Sequence, residues 1–392
     1  MTTSFCSLVG VSALLVATVP ACAQRGGAQA VRHYPDAGFE LQVFDNSDSY
    51  SCVLDLNRHG HVIGVREASN PEGTIFSQKY WYSDGSDSVD LPLVEGYTNV
   101  VGEAISDTGL VVGFASRRIG HTDGSLIGFV WDSRTGKSTK LPPHGDDNAS
   151  HAQDISADGT RISGYTTGAN PARLRPCVWS WDAGSQSWHS TVLPTIEQYN
   201  PYLMSSRAVI TPDGSRVAAC VTERFLPDGT VDSSLYLWTY SDGQWQRSEL
   251  SKQQMRLHGI NDAGTMVGDL SLPTTRMPCR IDADGTVVEL GFLPGDRSGE
   301  ARGINNAGLI VGFTDDPGNH DAGPRAFVYE NDQMRKLEMP PDTVYSAAYC
   351  VNDLGQIGGL ADVTFPDETV EDPQTGEQQP VIKTVGFVRS PK

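Results

Sequence analysis

Seven times along this chain one short pattern returns: an apolar residue, Asn, Ser or Thr, two linking residues, Gly, then an apolar run that closes on Gly in six copies and on Ala in one. The copies span residues 56–64, 105–113, 155–164, 210–219, 260–268, 304–312 and 351–359. Their turn glycines, Gly60, Gly109, Gly159, Gly214, Gly264, Gly308 and Gly355, recur at a mean spacing of about 49 residues, a period that points to propeller blades rather than helical solenoids. Seven near-equal units use almost all of the 392 residues, so length does not imply several domains here.

Each unit reads as four strands, a to d. In the fifth they are 257–261, 265–270, 279–281 and 286–290. The signature is the a–b turn. Its first residue can accept a hydrogen bond from the backbone two residues on, its second suits a type I turn, and Gly takes the left-handed position of a three-residue hairpin loop. Ser106, Ser156 and Thr211 keep a side-chain oxygen where the other copies have Asn, and Pro212 falls where a fixed φ helps. Strand c is usually aromatic, as at Tyr80-Trp81-Tyr82, Phe129-Val130-Trp131, Val178-Trp179, Tyr236-Leu237-Trp238 and Phe327-Val328-Tyr329. Side chains of that size, one set per unit, are expected to fill the wedge between blades rather than form a stacking platform. The last unit stops after Phe387-Val388 and lacks strand d, while an orphan strand-like segment, residues 39–44, precedes the first. The expected fold is all-β, a seven-bladed β-propeller of four-stranded antiparallel blades over residues 38–390. The N-terminal strand closes it, because an open ring would expose two unpaired edges.

Charge narrows the partners. A net charge of −19 repels nucleic acid and anionic lipid, leaving cations, basic partners, neutral glycans or no partner. Residues 1–23 have no charged side chain, carry an apolar stretch at 8–19 and end in Ala21-Cys22-Ala23. That is the pattern of a signal peptide cleaved before Gln24, with residues 24–37 as a linker. The apolar stretch is too short for a membrane span. A second reading makes Cys22 the site of a lipid anchor. An extracellular or periplasmic monomer is expected. Export would leave Cys52, Cys177, Cys220, Cys279 and Cys350. Cys52 and Cys350, in the first and last units, are the one candidate disulfide pair, but buried free thiols acting as small apolar residues are the favoured reading.

The wording Gly-Ile-Asn-Asp-Ala-Gly-Thr-Met-Val-Gly at 259–268 and Gly-Ile-Asn-Asn-Ala-Gly-Leu-Ile-Val-Gly-Phe at 303–313 resembles the HAF-type extracellular repeat proteins of bacteria. Units three and four, with Ser156-Ala157-Asp158-Gly159 and Thr211-Pro212-Asp213-Gly214, look more like the repeats of the periplasmic propeller protein of the Tol system. The resemblance covers about residues 50–390 and implies an exported repeat protein; it carries over no catalytic residues and no cofactor.

A ligand is expected on the face made by the loops entering strand a and those joining b to c. Two residues before each signature lie Leu54, Glu103, Gln153, Ala208, His258, Arg302 and Tyr349, a varied set inside a strict repeat. Glu103, Gln153, His258, Arg302 and Tyr349 are therefore the candidate ligand-binding residues; a merely solvated channel is the competing reading. A hydrolase or lyase needs two carboxylates in one pocket, for which Glu103 with Asp154 or Asp55 are the near-axis candidates, although both aspartates can simply bond neighbouring strands. No nucleophile, zinc or phosphate-loop motif is present. His59 and His61, the acidic loop at 315–321 and that at 146–148 read as solvated surface rather than metal sites. The acidic b–c stretch of the last unit, 361–380, reads as a mobile segment that could serve as a lid. The leading expectation is a non-catalytic propeller binding a protein or glycan. A carbohydrate-active enzyme and a structural surface protein are the alternatives.

Overall fold

The computed structural model describes residues 30–33, 39–45, 50–69, 76–117, 126–169, 172–195, 203–204, 207–225, 231–272, 274–319, 323–340, 343–371 and 376–391. The signal-peptide reading of residues 1–23 and the lipid-anchor reading of Cys22 lie outside them. Every regular element described is a strand, and no described helix is long and apolar enough to cross a membrane. Seven antiparallel blades form a closed ring. Their innermost strands, a, are Ser51–Leu56, Asn99–Ile105, Ala149–Ile155, Val209–Ile210, Met255–Ile260, Ser298–Ile304 and Ser346–Val351, and each touches strand a of the next blade, the seventh touching the first.

The closing strand is where the repeat count requires it. Glu40–Asp45 pairs with Gln378–Ser390 as the outer strand of blade 7, with Val43 opposite Phe387 and Phe44 opposite Gly386. Leu41, Val43 and Phe44 are fully buried there. Part of the stretch read as linker also pairs, since Ala30–His33 adds a fifth strand against Glu40–Asp45.

All seven turn glycines have positive φ, from 70° to 84°, the left-handed region in which a side chain is strained. The Asn at the turn start has a second task. Asn57 Oδ1 accepts the His59 and His61 amides at 2.9 and 3.0 Å, while Nδ2 donates to Ser106 O of the next blade at 3.0 Å. Asn261 and Asn305 likewise donate to Asn305 O and Asn352 O, and Asn352 Nδ2 returns to Asn57 O at 2.9 Å. Where Ser156 and Thr211 lack that donor, an arginine five residues on supplies it: Arg161 Nη1 reaches Gly214 O at 2.8 Å and Arg216 Nη1 reaches Asp262 O at 3.1 Å. Between the a–b turns of blades 2 and 3, among the described residues, a link runs through the backbone, from Asp107 N to Ala157 O. The two dialects of the repeat thus complete one hydrogen-bonded belt around the axis.

Strand c aromatics are core. Trp81, Phe129, Trp179, Trp238, Phe327 and Phe387 are each at most 1% exposed, and the Trp179 and Trp238 indoles donate to the Pro142 and Pro194 carbonyls.

The structure decides between the two readings of the cysteines and corrects one expectation. Cys52 and Cys350 are not paired; all five described cysteines are buried free thiols. Cys52 faces Val65 two residues before Leu54, whereas Cys350 follows Tyr349, the residue equivalent to Leu54. The two thiols therefore sit three positions apart along neighbouring strands, about 10 Å of rise, beyond disulfide reach. Burial pushes the Cys52 thiol up to about 12, so it stays protonated. The acidic stretch at 361–380, expected to be mobile, is largely sheet: Ile357–Glu371 pairs with Gln378–Ser390 on either side of an irregularity between Phe365 and Thr369. Val363 and Phe365 alternate into the core and Lys383 pairs with Glu368 at 2.9 Å. Period-two burial outweighed an acidic composition.

Candidate functional site

In six strands a the pairing with strand b slips by one residue, and the skipped residues are Leu54, Glu103, Gln153, His258, Arg302 and Tyr349. These are the positions that vary within the strict repeat. A bulge frees its extra residue from the ladder and re-aims it, so the fold leaves one unpaired position on the innermost strand of each of six blades.

The glycine that closes the signature lies opposite. A Cβ at Gly113, Gly164, Gly268, Gly312 or Gly359 would come far inside 3.0 Å of the strand-a carbonyl oxygen displaced by the bulge. Blade 4 has Ala219 at this position, and there strand b pairs with Leu203–Met204 and then with Val209–Ile210, the register shifting by two residues between them rather than by one.

On the axis lies a cavity of about 700 Å³ whose wall includes Leu54, Arg207, His258, Arg302 and Tyr349, with Asp55 and Asp154, and then the a–b turns through Asp107, Asp262, Asn306 and Asp353. It therefore belongs to the a–b turn side of the axis, opposite the loops entering strand a. Three of the five candidate residues, His258, Arg302 and Tyr349, line it. Glu103 and Gln153 stand beside it under Arg207, whose Nη2 donates to both of their main-chain oxygens. Gln153 Oε1 accepts the Ala208 amide at 3.0 Å, and Glu103 Oε1 lies 3.3 Å from His151 Nε2. Arg207 itself is not marked in the sequence, because it falls outside the short strand a of blade 4 and out of register with the other six positions.

The near-axis carboxylates are already engaged. Asp55 Oδ1 accepts the Leu56 amide and Oδ2 the Ile105 amide of the next blade, both at 2.9 Å. Asp154 does the same with Ile155 and Ile210, at 2.9 and 3.0 Å. Burial, with Asp154 nearby, pushes Asp55 up to about 7, and burial raises Asp154 as well. Burial also works against the Glu103 carboxylate, but the His151 hydrogen bond and the Arg207 charge outweigh it and hold Glu103 below its ordinary value.

Blades 5 and 6 carry a second constellation that sequence reasoning missed, because its members come from four strands. Asp269 is fully buried and the Glu300 side chain 6% exposed. Arg256 grips Asp269 through Nε and Nη2, at 3.0 and 2.8 Å. Arg276 pairs with Glu300, Arg302 Nη1 donates to Glu300 Oε2 at 3.0 Å, and Arg256 Nη2 reaches Glu300 Oε1 at 3.4 Å. His258 Nε2 is 2.9 Å from Asp269 Oδ1 and Nδ1 is 3.3 Å from Arg302 Nη1. One tautomer satisfies both contacts: Nε2–H donates to the carboxylate and Nδ1 accepts from the guanidinium. Burial and the Arg302 charge push His258 down to about 4, so it is neutral at pH 7. Donor atoms of His258, Asp269 and Glu300 lie within 4.8 Å of one another, but the arginines occupy the carboxylate oxygens a cation would need. The Arg302 guanidinium also lies 4.9 Å over the Tyr349 ring, and Phe313 packs edge-on to that ring at 6.2 Å.

The other metal candidates are held by neighbours. His61 Nδ1 lies 3.0 Å from the Tyr82 hydroxyl, Asp147 pairs with Arg175 and Asp316 with Arg297; Asp321 lies outside the described residues.

No protein-family model matches the chain, and no curated protein sequence matches it. Solved structures resemble it in fold. The β-propeller domain of the Trilobed protease from Pyrococcus furiosus is 11% identical, with a TM-score of 0.53 over 87% of this chain and 94% of that one. The acylaminoacyl peptidase of Pyrococcus horikoshii is 12% identical, with a TM-score of 0.52 over 85% of this chain; the chain spans 52% of that protein's length. A protein assigned as TolB from Agrobacterium tumefaciens is 13% identical over 64% of this chain and 83% of that one, at a TM-score of 0.41, too low to weigh. At these identities the likeness is one of fold: the chain is a seven-bladed β-propeller.

Proposed function

We propose that this chain is an exported, non-catalytic propeller of the HAF-repeat type that binds a protein or glycan ligand around its axis. Glu103, Gln153, His258, Arg302 and Tyr349 form the recognition ring, and Arg207 joins them. One observation carries the reading: six blades spend a β-bulge, a device that costs ladder hydrogen bonds, on presenting a chemically different residue at the same axial position. Ring stability does not ask for that variety.

The carboxylates argue against hydrolysis. Asp55 has the raised value a general acid needs, but its Oδ2 ties blade 1 to blade 2 while its Oδ1 holds the Leu56 amide, and Asp154 is engaged in the same way between blades 3 and 4. Glu103, held low, suits an ion pair better than proton donation. The test is a glycan array and an envelope-protein capture run beside a reducing-sugar assay. Binding without turnover, weakened by Tyr349→Ala, is the expected result. Sugar release abolished by Glu103→Gln would overturn the non-catalytic reading, and blank screens would overturn ligand binding.

A further inference from the structure

The constellation in blades 5 and 6 is layered by charge. Its carboxylates lie beneath, with Asp269 fully buried and Glu300 6% exposed, whereas Arg256 and Arg276 keep 36% and 37% of their side-chain surface open and Arg302 keeps 23%. Three guanidiniums face these two carboxylates, Asp315 also lies close to Arg276, and His258 is neutral. The cluster is therefore close to balanced in charge, with its guanidiniums as the more exposed layer. The crowding is felt within it, since burial first, and then the Arg256 charge, lowers Arg276. An incoming anion would relieve that crowding.

The shape selects among anions. A guanidinium is a planar fork that matches a carboxylate with two parallel N–H donors. Beside the fork lies the Tyr349 ring, with the Arg302 guanidinium over one face and Phe313 edge-on to it; an aromatic side chain next to a carboxylate-binding fork favours a sugar ring over a bare inorganic anion. The −19 charge of the whole chain repels a long polyanion but acts far less on a single charge seated among outward guanidiniums.

We propose that Arg256, Arg276 and Arg302 receive the carboxylate of a single uronic-acid residue at the end of a glycan chain. The inference rests on the ligand-binding reading above and gives it a ligand chemistry. A divalent cation at His258, Asp269 and Glu300 is the rival use of the same side chains, and the test includes it.

The experiment is calorimetric titration of the full chain with methyl glucuronide, methyl glucoside, a Glu-Glu dipeptide and inorganic phosphate, each with and without added Mn²⁺. The glucuronide should bind without the metal, and the glucoside about tenfold more weakly or not at all. Arg276→Gln should weaken the glucuronide about tenfold, with Arg276→Lys, which keeps the charge and loses the fork, in between. Should Arg276→Gln fail to fold, the Arg256→Lys variant reads the same fork from the other side. Equal binding of glucuronide and glucoside, binding of peptide or phosphate alone, dependence on Mn²⁺, or indifference to both arginine variants would overturn the assignment. The two readings fail differently. If only the uronate assignment is wrong, another ligand still binds and Tyr349→Ala weakens it. If the axial reading is wrong, nothing binds there.

Discussion

Gly312 in strand b of blade 6 faces the main-chain oxygen of Glu300 so closely that any Cβ there would come far inside 3.0 Å of it. The approach exists because the bulge at Arg302 displaces the strand-a carbonyl toward strand b. Phe327 crowds the same spot from strand c, at 2.8 Å. Gly312→Ala should therefore cost about 3 kcal/mol or more, as overpacking. Ala219→Gly, in the blade that lacks the one-residue bulge, should cost under about 1 kcal/mol, from backbone entropy. Denaturant unfolding of both variants checks this; equal effects would contradict the pairing of bulge with glycine.

The belt of a–b turns makes its own prediction at the ring seam. Asn352 Oδ1 accepts the Leu354 and Gln356 amides, and Nδ2 donates to Asn57 O across blades 7 and 1. Asn352→Ala orphans several buried groups and should cost about 2–3 kcal/mol. Asn352→Ser keeps an acceptor and should recover part of the loss. Thermal melts distinguish the two, and an unchanged midpoint for Asn352→Ala would remove the belt from the account of stability.

The repeat number, the turn glycines, the aromatic core and the closing strand were legible because each is a local sequence rule repeated in phase. The bulges were not, since a bulge is a register event between two strands. Its only trace is the strict glycine on the partner, which reads equally well as a turn or packing residue. Variety at Glu103, His258 and Arg302 did mark the axis. Arg256, Asp269, Arg276 and Glu300 left no such mark, because tertiary structure alone brings strands from two blades together. In the 361–380 stretch, charge masked the alternation of Val363 and Phe365 that makes it sheet.

Asp55 sets a pH dependence whose direction follows from burial. The folded group holds its proton up to about 7, whereas an unfolded aspartic acid releases it near about 3.9. Between these values the folded state binds more protons than the unfolded, so the contribution of Asp55 to stability is full below about pH 4 and lost as pH rises through about 7. The melting temperature of Asp55→Asn minus that of the parent should therefore rise across this window. A difference that stays flat would contradict it.

His258 behaves in the opposite sense. Its folded value near 4 lies below the unfolded value of about 6.5, so its contribution is full above about pH 6.5 and is lost as pH falls toward 4. NMR titration should show a neutral imidazole with the proton on Nε2 down to about pH 5. A midpoint near 6.5, or a proton on Nδ1, would break the Asp269–His258–Arg302 chain of contacts.

The axial site exists only if the ring is closed by both ends of the chain, and amide hydrogen exchange tests that closure most directly. Peptides covering residues 40–45 and 378–390 should exchange as slowly as those from Leu126–Asp132, a strand inside an uninterrupted blade. Exchange of residues 40–45 at the rate of an unstructured peptide would mean an open ring, and the axial geometry argued here would not hold.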